Sequence, residues 1–374
     1  MNPSPQVSKA IVVGGGIFGV SSAVHLVRLG VSTVLINDGP LANGASGRSL
    51  SWLNSSRKRS MAYHQLRMAG IDRYRTLMAR HPDLPWLRFD GGLTWDADDV
   101  NNEIADIFRY ERQIGYDAHL IAGNRLAAFT PGVDSKVVTR QGAIFNPGEG
   151  WVDLPSLIGS LSKEFVERGG ELVTDSGRAN VTVTAGRATG VTTEKGSRIV
   201  ADAVLVATGA DVPSMAAVVG SRIDDATPAA LLVQTKPVHL PLRAVLNTPR
   251  VAIRPTPTGA LVLDSAWSEE EVIRRPDGTF DARQSTLQGL LAEASTVLEG
   301  NPKLELDTFG LGPKPIPGDG EPVFGELAGI KGYFVAFSHS GATLGLIAGE
   351  LLADEIARGE KSPMLESFRP ARFA

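Results

Sequence analysis

Apolar residues follow two rhythms along this chain. Residues 10–13 (Ala-Ile-Val-Val) form a short unbroken apolar run, the pattern of a strand buried on both faces. Val20, Ala23, Val24, Val27 and Leu29 then return at helical spacing until Gly30, a natural helix stop, and residues 33–36 form a second apolar strand. Residues 203–206 and 333–337 repeat the buried-strand pattern, each ending in small residues, and a helix is predicted over about 343–357. Residues 91–95, 251–254 and 259–264 read as further strands. A helix running to about Arg168 opens at Asp153, its expected N-cap, with Pro155 in the first turn and Trp151 and Val152 just before it.

Composition narrows the classes. The 374 residues suffice for two cores, and 43% hydrophobic with 21% charged residues describes a globular chain. A net charge of −4 gives no general attraction to nucleic acid. The stretch 48–80 is basic (Arg48, Arg57, Lys58, Arg59, Arg67, Arg73, Arg75 and Arg80 against Asp72) and is taken as a solvated helix face. There are no cysteines, which excludes disulfides, thiolate catalysis and a flavin attached through sulfur. The six histidines show no metal-type spacing, so no metal is expected. The polar leader before residue 10 lacks the apolar core of a signal peptide, and no apolar run reaches membrane-spanning length. A cytoplasmic protein with no membrane span is expected.

The chemistry begins at Gly14-Gly15-Gly16-Ile17-Phe18-Gly19, which matches G-x-G-x-x-G between the first strand and the first helix. Gly14 allows a tight turn, Gly16 lets a pyrophosphate approach the backbone, and Gly19 lets helix and strand lie close. The helix start, with Ile17 and Phe18, offers N–H groups and a positive dipole end to phosphate. At the end of the second strand a carboxylate would accept both ribose hydroxyls. Here Asn37 occupies that place and Asp38 follows, and both are candidates for the ribose.

Four segments together resemble the D-amino-acid oxidase family, which includes glycine oxidase, sarcosine oxidase and D-amino-acid dehydrogenases. They are the glycine turn; Gly44-Ala45-Ser46-Gly47-Arg48-Ser49; residues 203–210, ending Ala207-Thr208-Gly209-Ala210; and 312–325 followed by 332–344. The resemblance implies an α/β plus α+β architecture: a Rossmann-like FAD-binding domain with a discontinuous antiparallel-sheet substrate domain. The first is expected at 1–80, 142–225 and 307–374, the second at 81–141 and 226–306. It implies non-covalent FAD as cofactor. Ser46, Gly47, Arg48 and Ser49 would pass beside the pyrophosphate and under the flavin. Arg178 or Ala179 would lie near the adenine, and Ala207, Thr208 and Gly209 would bring backbone to the cofactor. Ser338, His339, Ser340, Gly341, Ala342, Thr343 and Leu344 would face the flavin at the start of the last helix, where N–H groups stabilise negative charge on the pyrimidine ring.

An enzyme of this kind supplies position and electrostatics while the flavin takes a hydride from a carbon bearing an amine. No catalytic triad is needed and none is seen. His339 is a candidate proton acceptor. Family members that oxidise amino acids place an arginine in Gly-x-Arg-Pro on the substrate carboxylate; this chain has Gly312-Pro313-Lys314-Pro315, and lysine lacks the bidentate fork. A carboxylate-directed tyrosine common in the family is Ala252 here, with Arg254 two residues on as a replacement. Lys314, Arg254 and His339 are therefore the substrate candidates. The favoured reaction is C–N oxidation of a small amino acid or secondary amine, with oxygen or a quinone or other electron carrier as acceptor. The alternatives are C–OH oxidation with His339 as base, and a flavin-binding subunit of a larger complex.

Overall fold

The apolar run at 10–13 becomes the strand Lys9–Val13, near the middle of a six-stranded sheet. The computed structural model describes residues 6–374; the first five, which belong to the polar leader and to the expected 1–80 segment, lie outside the described residues. From edge to edge the sheet runs Val323–Glu326, Tyr333–Phe337, Ala203–Val206, Lys9–Val13, Ser32–Ile36, Glu171–Val173. The last five are mutually parallel, and Val323–Glu326 is antiparallel to its neighbour. Val12, Leu35, Val206 and Val335 have no exposed surface, as strands covered on both faces require.

The helices Ile17–Arg28 and Gly341–Arg358 lie side by side, and Leu154–Glu167 also packs on the first of them. Small residues set the spacing of the first pair. A Cβ on Gly345 would fall 2.3 Å from Ile17 Cγ1, and one on Gly349 would fall 2.2 Å from Ser21 Oγ. This compact unit comprises Met1–Gly47, Leu154–Pro228 and Pro313–Ala374.

The second unit comprises Arg48–Asp153 and Ala229–Gly312. Its eight-stranded sheet is ordered Leu306–Pro313, Ala229–Thr235, Leu261–Asp264, Ala252–Pro255, Val245–Asn247, Gly92–Thr94, Ala143–Asn146, His119–Ile121. From Ala229–Thr235 to His119–Ile121 neighbours pair antiparallel except at one junction, where Val245–Asn247 runs parallel to Gly92–Thr94 and joins the two chain pieces of the unit. The helix Gln284–Val297 buries Leu287, Leu290, Leu291 and Ala294 into a core with Leu246, Ile253, Leu261 and Leu263. A smaller antiparallel sheet places Gly150–Val152 between Trp52–Leu53 and Leu87–Arg88.

The first border falls after Gly47, well before residue 80. Trp52–Leu53 pairs inside the second unit, and the helix Met61–Arg80 is tied there by Arg67, which donates to Asn54 O at 2.7 Å and Asn54 Oδ1 at 2.9 Å. The later borders lie at 153/154, 228/229 and 312/313, where the sequence reading expects 141/142, 225/226 and 306/307. Among the described residues no helix is long and apolar enough to cross a membrane.

The end of the last helix carries a buried charge pair in the first unit. Arg369 donates to Glu355 through Nη1 at 2.8 Å and Nη2 at 2.6 Å, and the Ser362 N–H adds 2.6 Å to the same carboxylate. The Glu355 side chain is only 4% exposed. Arg369→Met strands that carboxylate, and chemical denaturation is expected to show a loss of about 3 kcal/mol; an unchanged midpoint would contradict this role for the pair.

Candidate functional site

In the first unit the loops that carry the predicted cofactor residues leave the sheet at one level. Val13 lies opposite both Val206 and Ile36, and Val206 lies opposite Val335. The chain therefore turns at Gly14, Asn37, Ala207 and Ser338 along one carboxyl edge, the place where open parallel sheets bind ligands.

At that edge the backbone is packed with no space for side chains. Gly14 has φ +119°, and a Cβ on it would fall 2.4 Å from Ala207 O. On Gly19 a Cβ would fall 1.9 Å from Gly14 O, so helix and turn touch main chain to main chain. Gly16 differs: its φ of −81° and ψ of 179° suit any residue, and its nearest neighbour for a Cβ is Ser46 Oγ at 3.2 Å. The space beside Gly16 is thus a cradle that a side chain would fill, pressing on the Ser46 hydroxyl but on no backbone atom. Ser46 Oγ accepts the Ile17 N–H at 3.0 Å, which draws the 44–47 loop onto the helix start. Neither N-cap residue, Gly16 or Ser340, caps its own helix through a side chain, and neither helix carries an acidic residue in its first turn. Both helix starts therefore keep their positive character for a ligand. A Cβ on Gly341 would lie 3.4 Å from Ile17 Cγ2 and 3.7 Å from Phe18, so the two starts adjoin. Ser338, Ser340, Ala342, Thr343 and Leu344 are buried there, and His339 is exposed.

Asn37 is occupied by the turn itself. Its Oδ1 accepts the Gly15 N–H at 2.7 Å, and its Nδ2 donates to Gly39 O at 2.9 Å and Pro40 O at 2.8 Å. Asp38 is exposed, with Asn43 Nδ2 at 3.3 Å. Ser176 clasps Asn37 O through its N–H and hydroxyl, bringing the segment before Ala179 alongside. Ala179 is buried, while Arg178 is exposed and pairs with Asp211 at 3.0 Å. Thr208 donates to Met215 Sδ at 3.4 Å, and a Cβ on Gly209, at φ +64°, would lie 3.5 Å from Pro315 Cγ. The Lys314 N–H donates to Pro228 O at 2.9 Å, and its side chain is half-buried.

In the second unit Arg48 lies along the strand Leu306–Pro313. A Cβ on Gly312 would fall 2.3 Å from Arg48 Nη2, and one on Gly310 would fall 2.8 Å from Arg48 Cγ. Burial lowers the Arg48 pKa. Ser49 Oγ accepts the Ser51 N–H at 3.0 Å. Ala252 and Arg254 share a face of a regular strand, opposite Asp264 and Val262. Arg254 is 3% exposed and sits over the Trp151 ring at 5.3 Å. Its Nη1 donates to Pro255 O at 3.2 Å, its Nη2 is 3.9 Å from Asp153, and its Nε has no hydrogen-bond partner among the described residues. Burial pulls its pKa down to about 10 against the opposing pull of Asp153, so it is charged at neutral pH.

The basic stretch 48–80 is not one solvated face. Arg67 and His64 are buried, and burial, joined by Arg67 and Arg59, lowers the His64 pKa. Sequence reading missed the residues that surround them: Glu149 and Glu111, with 0% and 1% exposure, and Tyr116. They sit in loops and on one helix with no shared spacing, and pairing across the sheets is what gathers them.

Comparison with known proteins follows the same lines. The DAO family profile, described as FAD dependent oxidoreductase, matches residues 9–355. Mitochondrial sarcosine dehydrogenase of Mus musculus is 21% identical across 99% of this chain, which spans 42% of that protein. An uncharacterized oxidoreductase, YurR, of Bacillus subtilis is 24% identical over 96% of this chain and 98% of its own length. Glycine oxidase from Bacillus cereus superposes with a TM-score of 0.80 at 18% identity, covering 96% of this chain and 98% of its own. L-Amino acid deaminase from Proteus myxofaciens gives 0.83 at 18% identity, covering 100% and 94%. At these identities the structural likeness establishes the fold.

The cradle at Gly16 yields a direct test. Gly16→Val is expected to keep its far-ultraviolet circular dichroism and lose FAD affinity more than about tenfold, or ~1.4 kcal/mol. A variant that purifies as yellow as the parent removes Gly16 from the cofactor site.

Proposed function

The chain belongs to the DAO family of FAD-dependent oxidoreductases, and from that premise we propose that it removes a hydride from the carbon next to nitrogen in a small amino acid or secondary amine that carries a carboxylate. The observation that carries this reading is Arg254. A buried guanidinium whose nearest carboxylate stands 3.9 Å away and whose Nε is unbonded costs free energy. An incoming carboxylate offsets that cost by meeting the guanidinium as a charge-assisted pair. Glycine and sarcosine, which name two of the relatives, both bear a carboxylate beside the C–N bond.

FAD supplies the hydride acceptor. The chain's own residues do the rest. Gly16, Ile17 and Phe18 at the first helix start, together with Ser46, take the pyrophosphate. Asp38 takes the ribose, because the Asn37 amide is spent on Gly15, Gly39 and Pro40. The backbone at the start of the last helix, Gly341 to Leu344, would hold the flavin end of FAD and favour negative charge there. Arg254 orients the substrate by its carboxylate, with Lys314 as a weaker point charge. His339, exposed on its turn, accepts the substrate's proton.

Anaerobic titration of the yellow protein tests this. Small carboxylated amines are expected to bleach the flavin absorbance, while polyols and hydroxy acids leave it unchanged; the reverse would favour C–OH oxidation and end the amine reading. Arg254→Met is expected to raise KM for the amine substrate about 100-fold, as loss of one partner of a buried charge pair does, with full flavin content. Lys314→Ala is expected to have the smaller effect.

A further inference from the structure

The eight-stranded sheet of the second unit has one face packed on its helix and another that carries Arg254. Leu93, Leu246, Ile253 and Leu263 share a core with the helix Gln284–Val297. Side chains alternate along a strand, so Thr94, Asn247, Ala252, Arg254 and Asp264 project from the opposite face. Register arranges them in two rows. One row crosses four strands as Asp264, Ala252, Asn247 and Thr94, each directly opposite the next. The other, two residues along the strand, sets Arg254 opposite Val262.

Exposure changes along these rows. Asp264, Ala252 and Asn247 are half-buried. Arg254, beside them, is 3% exposed, and Thr94, which ends their row, is 2% exposed. Arg254 Nε and Thr94 Oγ1 have no hydrogen-bond partner among the described residues. A sheet face that simply meets solvent also carries polar residues, but there the polar atoms reach water. Here an unbonded guanidinium nitrogen and an unbonded hydroxyl are enclosed beside a half-open polar strip, at a cost that a polar ligand offsets. Ala252 keeps the strip low at its middle. Strand spacing of about 4.8 Å puts the flanking Asp264 and Asn247 about 9.6 Å apart, a gap that one ammonium group fills with a hydrogen bond to each side.

We propose that Asp264 and Asn247, on either side of Ala252, form a second subsite beside Arg254 that takes an ammonium group at the far end of the substrate, so that the substrate class is an amino acid with a basic side chain. The subsite rests on the carboxylate-binding role proposed for Arg254. Charge decides the class. An ammonium brings three donors and no acceptor, and both the Asp264 carboxylate and the Asn247 carbonyl accept. A second carboxylate would meet Asp264 as a like charge, and a terminal methyl group would forgo both hydrogen bonds. Diagonal neighbours on paired strands stand about 7–8 Å apart. Arg254 and Asp264 are such neighbours, so a carboxylate at one and an ammonium at the other are separated as they are in an extended lysine or ornithine.

The test uses the holoenzyme without oxygen and two reductants of its flavin: racemic lysine, and racemic norleucine, which has the same carbon skeleton and no second amino group. The assay is run at about pH 8, where the lysine side chain, with a pKa of about 10.4, is charged. The parent is expected to favour lysine in kcat/KM by at least about tenfold, or ~1.4 kcal/mol. Asp264→Asn, neutral and of the same shape, is expected to bring the two amino acids within about twofold of each other. Asn247→Asp adds a second charge to the strip and is expected to raise the preference for lysine. Arg254→Met is expected to weaken both amino acids alike and keep their ratio. A purely structural role for Asp264 would lower both together and leave the ratio at the parental value. That result, or a parent that shows no preference for lysine, overturns the subsite and leaves Arg254 as proposed; so does a flavin bleached by glycine or sarcosine but by neither test amino acid. Parental KM values for both in Arg254→Met instead overturn the carboxylate role and, with it, the basic amino acid as substrate.

Discussion

The contact that orders this structure is main chain against main chain at the end of the first strand. Gly19 lies on Gly14 O, and Gly14 on Ala207 O, at distances that no Cβ could share. This closeness brings the first helix start down to the sheet edge. The dinucleotide site proposed at this edge follows from the exclusion of side chains more than from any group the chain adds. Ser46 completes it by taking the Ile17 N–H and fixing the following loop.

This part was legible in the sequence because its signals are local. A glycine turn between an apolar strand and a helical pattern fits one backbone arrangement, and the last helix, expected over about 343–357, is Gly341–Arg358. The approach of Gly341 and Gly345 to Ile17 and Phe18 was implied only by family resemblance, since more than three hundred residues separate them in the chain. The character of Asn37 was half legible. Its position at the strand end was clear, but its amide turned out to be consumed by three backbone groups of its own turn.

The second unit shows what a one-dimensional pattern hides. Arg48 sits in a glycine- and serine-rich loop, yet it is seated by Gly310 and Gly312, far along the chain. Arg67 and His64 belong to a stretch that looks like a solvated helix face and are buried by Tyr116, Asn54 and Ser55. Glu149 carries no sequence signal of burial at all. Its setting is made by strands at 52–53, 92–94 and 150–152, and no spacing rule connects those three. Local periodicity finds elements, whereas a buried polar network depends on which elements meet.

The interleaving of the two units has a consequence for synthesis. The strand Lys9–Val13 needs Tyr333–Phe337 in its sheet and Gly341–Arg358 over its helix, and Gly92–Thr94 waits for Val245–Asn247 to pair with it. A ribosome must therefore deliver nearly the whole chain before either core can close, and the nascent protein carries exposed apolar strands for most of its translation. Premature termination before about residue 312 leaves two unfinished cores, not one finished and one missing.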